Sequence, residues 1–207
     1  MRRVILISSL LVIYPLAEAQ FKQGFIINQY GDQYPGFLKI KKPPLALTED
    51  GSKILLYKET KSSKAEEITL NELKAFQIEN DSFLIIKNYQ IPIEDFKLNG
   101  FARVILNGTK NILCTFVEFR ESKFGAPSTT FGTPSTRNFK KIKHYLLYNK
   151  GKFDLITDYN FYNEMPSIVS QNKELKNKII SKKLKFNDIE QIAFEYEQWR
   201  RGEKKLE

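Results

Sequence analysis

The sequence predicts an α+β fold: a mostly antiparallel β-sheet, arranged as a sandwich or roll, with two to three C-terminal helices packed on it. Three observations support this. Short apolar runs separated by Gly, Asn and Asp turn signals fill residues 24–158. Some of these runs are apolar at both alternating sets of positions, which is typical of strands that are covered on both faces. Apolar residues at helical spacing begin only after residue 159.

The first residues have the form of a secretory signal peptide. A basic start is followed by an apolar run of 13 residues, 4–16. Ala17 and Ala19 then supply small side chains at the −3 and −1 positions, so cleavage is expected before Gln20. At about 1.5 Å per residue, the apolar run is too short to cross a hydrocarbon core of about 30 Å. The mature chain is therefore expected to be exported, to lack a transmembrane span, and to be periplasmic, outer-membrane-associated or secreted.

The predicted domain organisation places a signal peptide at 1–19, an antiparallel β domain at 20–158 and a helical segment of the same domain at 159–207. Within the β domain, turn signals mark four hairpins. Gly and Asn adopt positive φ at low cost, so they favour tight connections between strands. The sharpest signal, Asn107-Gly108, predicts a two-residue type I′ turn. The four predicted turns are Gly31-Asp32, Asn80-Asp81, Asn107-Gly108 and Lys150-Gly151.

Three helices are predicted after the strands. Pro166 suits the first turn of a short helix over residues 166–171. A second helix is predicted over 173–183, with Leu175, Ile179 and Ile180 facing inward. The sequence Asn187-Asp188-Ile189-Glu190 predicts a capping box at the start of the third helix. The apolar stripe of this last helix is expected to dock on the sheet; it comprises Ile189, Ile192, Ala193, Tyr196 and Trp199.

The net charge of the chain indicates which kinds of partner it can bind. The formal net charge of +9 favours acidic partners such as anionic lipid headgroups, acidic glycans or nucleic acid. Export argues against nucleic acid, so the expected partner is an envelope protein or an anionic glycan.

Cys114 is the one cysteine and cannot form an internal disulfide. It lies in an apolar run and is expected to be buried and inert. The oligomeric state does not follow from the sequence.

Residues 120–140 are predicted to form a flexible loop. A six-residue unit beginning at Phe124 is echoed by one beginning at Phe131, and Gly, Pro, Ser and Thr dominate both. Long loops with little regular structure are usually functional or disordered. We therefore take Phe124 and Phe131 as candidate binding residues. The interleaved basic and aromatic residues that follow the loop add three further candidates, Lys141, His144 and Tyr145.

Motifs for catalysis and cofactor binding are not found in the sequence. One His and one Cys are too few for an ordinary zinc site, and there is no Gly-x-Ser-x-Gly elbow or phosphate-cradling glycine loop. We therefore expect no metal, no cofactor and no assigned catalytic residue. Two carboxylate pairs, Glu94 with Asp95 and Asp154 with Asp158, leave open an acid–base or glycosidase chemistry.

The spacing of several turn and packing motifs resembles a group of uncharacterised exported β-rich proteins abundant in Bacteroidota. The motifs are Gly24-Phe-Ile26, Gly31-Asp32 and Gly36-Phe-Leu-Lys, followed by 101–108, 145–151 and the closing helices. The resemblance covers nearly the whole mature chain and implies an α+β fold, but it implies no activity.

The sequence does not identify a function. The expectation is an exported envelope or secreted protein that acts as a non-enzymatic binding or scaffold module. The alternatives are a hydrolase of envelope polysaccharide or peptidoglycan that uses a carboxylate pair, and a purely structural domain without a ligand.

Overall fold

The computed structural model of the protein describes residues 20–41, 54–92, 97–108, 110–121 and 139–202. Within these ranges, the expected α+β class is confirmed: a mostly antiparallel sheet is followed by helices near the C-terminus. The strands are β1 Lys22–Asn28, β2 Gln33–Lys41, β3 Ile54–Lys58, β4 Glu66–Ile68, β5 Leu73–Ile78, β6 Asp81–Gln90, β7 Lys97–Asn107, β8 Ile112–Glu121, β9 Phe139–Asn149 and β10 Lys152–Ile156. The helices are α1 Phe161–Ile168, α2 Lys173–Ile180 and α3 Ile189–Arg200.

The described strands form one antiparallel sheet in the order β10-β9-β8-β7-β6-β5-β1-β2-β3-β4. Because successive strand residues point to opposite sides, the sheet has two faces. Face A carries Phe76, Phe83 and Leu113, and face B carries Cys114 and Leu146, as the pairing register shows. Both faces hold buried side chains, which agrees with the doubly apolar strands of the sequence.

The half of the sheet formed by β1 to β5 curls toward face A. Ile68 ends β4 and Leu73 begins β5, although β1, β2 and β3 lie between these strands in the sheet. In a flat sheet the two strands would be about 19 Å apart, at roughly 4.8 Å per step. The connection is four residues long and includes a 3₁₀ turn, which rises only about 2 Å per residue. The sheet must therefore bend until β4 approaches β5, around the buried Leu38 and Leu55.

Two glycines permit this bend. Gly24 and Gly36 lie directly opposite each other on β1 and β2. A methyl group on Gly24 would overlap the Gln77 carbonyl and lie 2.7 Å from the Leu38 side chain. A methyl group on Gly36 would overlap the ring of Tyr57. These two glycines begin the motifs Gly24-Phe-Ile26 and Gly36-Phe-Leu-Lys of the sequence, so both motifs have a packing role here.

The half formed by β6 to β10 curls the other way, toward face B. Tyr89 of β6 and Phe153 of β10 contact edge to face, with ring centroids 6.4 Å apart. Three strands separate β6 from β10 in the sheet order, so a flat sheet would hold them about 19 Å apart. Ala102, Cys114 and Leu146 are fully buried inside this second curl.

The helices cover face A over β7 to β10. A core cluster joins Leu113 and Leu147 of the sheet to Phe161, Ile179 and Tyr196 of the three helices. The expected docking of the α3 stripe is confirmed for Ile189, Ile192, Ala193 and Tyr196, which are buried, while Trp199 is 37% exposed.

Several local predictions about the helices are wrong. Helix α1 begins at Phe161, so Pro166 lies inside it and not in its first turn. Ile180 is exposed, because it lies about 100° around the helix from the buried Ile179. The expected capping box is replaced: Asp188 accepts a hydrogen bond from the backbone N–H of Lys185, and the Glu190 carboxylate binds the Lys143 ammonium at 2.7 Å.

The turn predictions have mixed outcomes. Lys150 and Gly151 both adopt positive φ, as a type I′ turn requires. Asn107 and Gly108 do not adopt positive φ, so the predicted type I′ turn is wrong here. The connection between β7 and β8 instead runs from residue 108 to residue 111. A Cβ at Gly108 would lie 2.9 Å from the Ile168 carbonyl oxygen. The absence of a side chain at Gly108 therefore allows α1 to approach this connection closely. At the ends of the loop predicted at 120–140, residues 120, 121, 139 and 140 instead belong to the paired strands β8 and β9. The remaining residues of the predicted loop, 122–138, lie outside the described residues.

We expect Gly24→Ala to lower the free energy of unfolding by about 3 kcal/mol, because backbone and core atoms must move to admit the methyl group. The matched control is Gly31→Ala. Gly31 has φ of +99° and open space around its Cβ position, so only the local backbone cost of about 1 kcal/mol applies. Denaturant titration of both variants tests this. Equal losses would show that the glycine pair does not control the bend.

Candidate functional site

The five candidate binding residues from the sequence do not form one site. Phe124 and Phe131 lie outside the described residues. Lys141 is exposed on β9. His144 and Tyr145 are neighbours on the same strand and therefore point to opposite faces, His144 to face B and Tyr145 to face A. The signal-cleavage residues Ala17 and Ala19 also lie outside the described residues, and Gln20 is exposed.

Tyr145 belongs to the helix-facing core. Its ring meets the ring of Phe186 edge to face at 5.7 Å. Burial raises the pKa of its hydroxyl, and the nearby Glu190 carboxylate adds to the shift, while Lys143 opposes it. These contacts identify Tyr145 as a packing residue that ties β9 to the helical layer.

His144 forms a buried pair with Glu118 on face B. Its Nε2 atom lies 3.0 Å from Glu118 Oε1, and the side chains are only 10% and 3% exposed. The two residues are diagonal neighbours, because His144 lies opposite Phe116 in the register of β8 and β9. Buried polar groups require such partners, so the pair links the neighbouring strands β8 and β9. No local pattern in the sequence indicates Glu118, because its partner is 26 residues away along the chain.

Cys114 is buried, as predicted, and burial raises the pKa of its thiol to about 12. At neutral pH the thiol stays protonated, and the thiolate is the form that attacks electrophiles or binds metals. Among the described residues, no three His, Cys, Asp or Glu side chains are grouped so that they could hold a metal ion. None of the described helices has the length and apolar composition needed to span a membrane.

Neither carboxylate pair of the sequence forms a buried pair of acids among the described residues. Glu94 and Asp95 lie outside it. Asp154 and Asp158 are both exposed, on β10 and on the turn that follows it. Asp154 lies opposite Leu147 on face A, whereas the cleft described next is lined by face B residues of the same hairpin.

A cleft opens where the tip of the β9–β10 hairpin approaches β5 and β6. Its volume is about 280 Å³, which is near the lower end of the roughly 300–1,000 Å³ typical of small-molecule sites. The opposite curl of the second half of the sheet creates it, because β10 and β5 would otherwise be far apart. The lining residues are Gln29, Leu73, Lys74, Leu84, Ile85, Lys87, Tyr148, Gly151 and Phe153.

The chemistry of the cleft is basic and aromatic. Lys74 and Lys87 are among the described residues that line the cleft, and none of these described residues is Asp or Glu. Lys87 Nζ donates a hydrogen bond of 2.7 Å to the Asn71 carbonyl, which fixes the ammonium and leaves two donor hydrogens for a ligand. Tyr148 and Phe153 lie opposite each other in the register, with ring centroids 4.9 Å apart.

The aromatic wall of the cleft continues beneath the surface. Tyr89 packs against Phe153, and burial raises the pKa of its hydroxyl, with a further contribution from the Asp154 carboxylate. A phenol of raised pKa stays neutral at physiological pH. The cleft therefore presents positive groups, neutral rings and the Gln29 amide, which suits an anionic ligand with a planar or ring-shaped body.

No known protein family, curated protein or solved structure matches the chain. The assignment of a site therefore depends on the geometry described above.

We expect His144→Ala to lower the free energy of unfolding by about 2 kcal/mol, because a buried hydrogen bond to a carboxylate is lost. Lys141→Ala, three residues earlier and exposed, should change it by less than about 0.5 kcal/mol. Thermal and denaturant unfolding of the two variants measure the difference. If the two variants are equally stable, the buried pair has no structural role.

The pKa of Cys114 gives a pH prediction. The unfolded thiol loses its proton near pH 9, while the folded thiol keeps it until about pH 12. The folded state thus binds more protons in this window, and the contribution of this group to stability falls as pH rises from 9 to 12. Comparison with Cys114→Ala by denaturant titration at pH 8 and pH 11 isolates it. The wild-type protein should lose more stability than the variant between these two pH values, and equal losses would contradict the shift.

Proposed function

We propose that the protein is a non-enzymatic binding module of the cell envelope or the secreted fraction, and that its cleft binds an anionic glycan. One observation carries the proposal: among the described residues, the cleft lining combines two lysines and two aromatic residues and contains no Asp or Glu. The signal-like residues 1–19 support the compartment, and the net charge of +9 supports an acidic partner.

A glycan suits the cleft for two reasons. The electron-rich faces of Tyr148 and Phe153 attract the weakly positive C–H faces of a sugar ring. The ammonium groups of Lys74 and Lys87 bind the carboxylates or sulfates that make a glycan acidic. The volume is sufficient for a small ligand or one unit of a polymer, and the open geometry lets a longer chain extend beyond it.

The competing hypothesis is a hydrolase of envelope polysaccharide or peptidoglycan. Glycoside hydrolysis ordinarily uses two carboxyl groups about 5–9 Å apart across the scissile bond. The described residues that line the cleft include none, and the buried Glu118 is engaged with His144 on β8 and β9. Binding without bond cleavage therefore fits the described residues better.

The test compares binding of an oligogalacturonate with binding of a neutral oligosaccharide of equal length by isothermal titration calorimetry. We expect the acidic chain to bind more tightly. The double variant Lys74→Gln with Lys87→Gln should weaken this binding by about tenfold or more, since it removes two charge-assisted contacts.

The matched control is Lys140→Gln with Lys141→Gln, which removes the same charge from exposed positions on β9 outside the cleft. It should change the dissociation constant by less than about threefold, at 0.15 M salt where distant charges are screened. Equal weakening by both double variants would show that net charge, and not the cleft, attracts the ligand. Release of shortened sugar chains during the titration would favour the hydrolase.

A further inference from the structure

A second basic surface lies on face B of the other half of the sheet. On β2, the side chains of Phe37, Lys39 and Lys41 alternate onto this face, and Lys58 of β3 lies directly opposite Phe37. We call this surface the basic face; it comprises Phe21, Phe37, Lys39, Lys41, Lys58 and Lys61. It shares no residue with the cleft.

Three of the four lysines of the basic face lie over aromatic rings. The Nζ atoms of Lys58 and Lys39 lie 4.7 and 5.9 Å from the centre of the Phe21 ring. The Nζ atom of Lys61 lies 5.7 Å from the centre of the Phe37 ring. Cation–π contacts of this length attract the ammonium groups and hold them close to the protein surface. The charges thus form a localised array on one side of the sheet.

The turn that carries Lys61 is also ordered by hydrogen bonds. The Thr60 and Ser63 hydroxyl oxygens are 2.7 Å apart, and the Ser63 N–H donates to the Thr60 carbonyl at 3.2 Å. The ammonium of Lys61 therefore extends from a closed turn next to the sheet, not from a free loop.

Acidic groups near the basic face are mostly on the opposite side of the sheet. Glu66 lies opposite Tyr57, on face A. Burial raises the pKa of the Tyr57 hydroxyl, and the Glu59 and Glu66 carboxylates raise it further. Glu67 lies opposite Leu56 and shares face B with the lysines. Among the described residues, the four lysines of the basic face thus outnumber the carboxylates that the strand pairing places on the same face.

We propose that the basic face docks the protein on an anionic membrane surface. The β1–β5 half curls toward face A, so its face B is the outer, convex side and offers no concave site for a small ligand. An extended layer of phosphate headgroups matches such a surface in sign and shape. Half-buried phenylalanines among the lysines place apolar groups where the headgroup region begins.

The experiment measures sedimentation with vesicles of phosphatidylcholine alone and of phosphatidylcholine with 30% phosphatidylglycerol. We expect binding to the anionic vesicles that weakens as salt increases. The double variant Lys39→Gln with Lys58→Gln should reduce the partition coefficient by about 25-fold, since each lysine near an anionic surface is worth roughly fivefold.

Two charge-matched controls accompany it, Lys140→Gln with Lys141→Gln and the cleft variant Lys74→Gln with Lys87→Gln. Both should retain more than about a third of the wild-type partitioning. Because every variant has the same N-terminal segment, any contribution of that segment cancels. Equal losses in all three variants, or equal binding to neutral vesicles, would overturn the proposal.

A further arm adds soluble oligogalacturonate as a competitor. If the basic face binds lipid phosphate, the glycan at a concentration that fills the cleft should leave vesicle binding within about twofold. Loss of vesicle binding in the wild type and in the cleft variant alike would assign the basic face to acidic polymers instead. Failure of the glycan titration described above leaves this outcome unaffected, because the two tests use different residues.

Discussion

The contact between Tyr89 on β6 and Phe153 on β10 determines how the second half of the sheet bends. It bends five strands toward face B, so that Ala102, Cys114 and Leu146 are sealed inside. The same bend brings the hairpin tip at Gly151 to β5 and β6 and thereby creates the cleft. It also turns face A of these strands outward, and the three helices cover that face.

The first half of the sheet bends in the opposite direction. The short connection from β4 to β5 forces a bend toward face A, and the facing glycines Gly24 and Gly36 leave room for it. One continuous sheet therefore has two curls of opposite direction. As a result, the rings of Tyr148 and Phe153 that line the cleft lie on face B inside the second curl, and the basic face lies on face B outside the first.

Local signals in the sequence predicted what depends on local structure. The hairpin at Lys150-Gly151, the buried stripe of α3 and the burial of Cys114 all follow from short patterns. Properties that depend on pairing between distant strands could not be predicted in this way. Glu118 and His144 meet only because β8 and β9 align, and the cleft exists only because β10 reaches β6.

The adjacent candidates His144 and Tyr145 show most clearly what the sequence pattern could not predict. The interleaving of basic and aromatic residues suggested one binding surface, but a strand sends neighbouring side chains to opposite faces. His144 joins Glu118 on one side, and Tyr145 packs against Phe186 on the other. The basic residues of the cleft come from β5 and β6, and its rings come from the late hairpin, so no single stretch of sequence contains the site.

The most direct test of this account is to measure, by nuclear Overhauser spectroscopy, whether the ring of Phe153 is close to the ring of Tyr89. The structure predicts cross-peaks between the two rings, since their centroids are 6.4 Å apart. If Phe153 instead showed contacts only with its β9 neighbours, such as Tyr148, the sheet would not curl toward face B. The cleft, and with it the proposed glycan site, would then not exist.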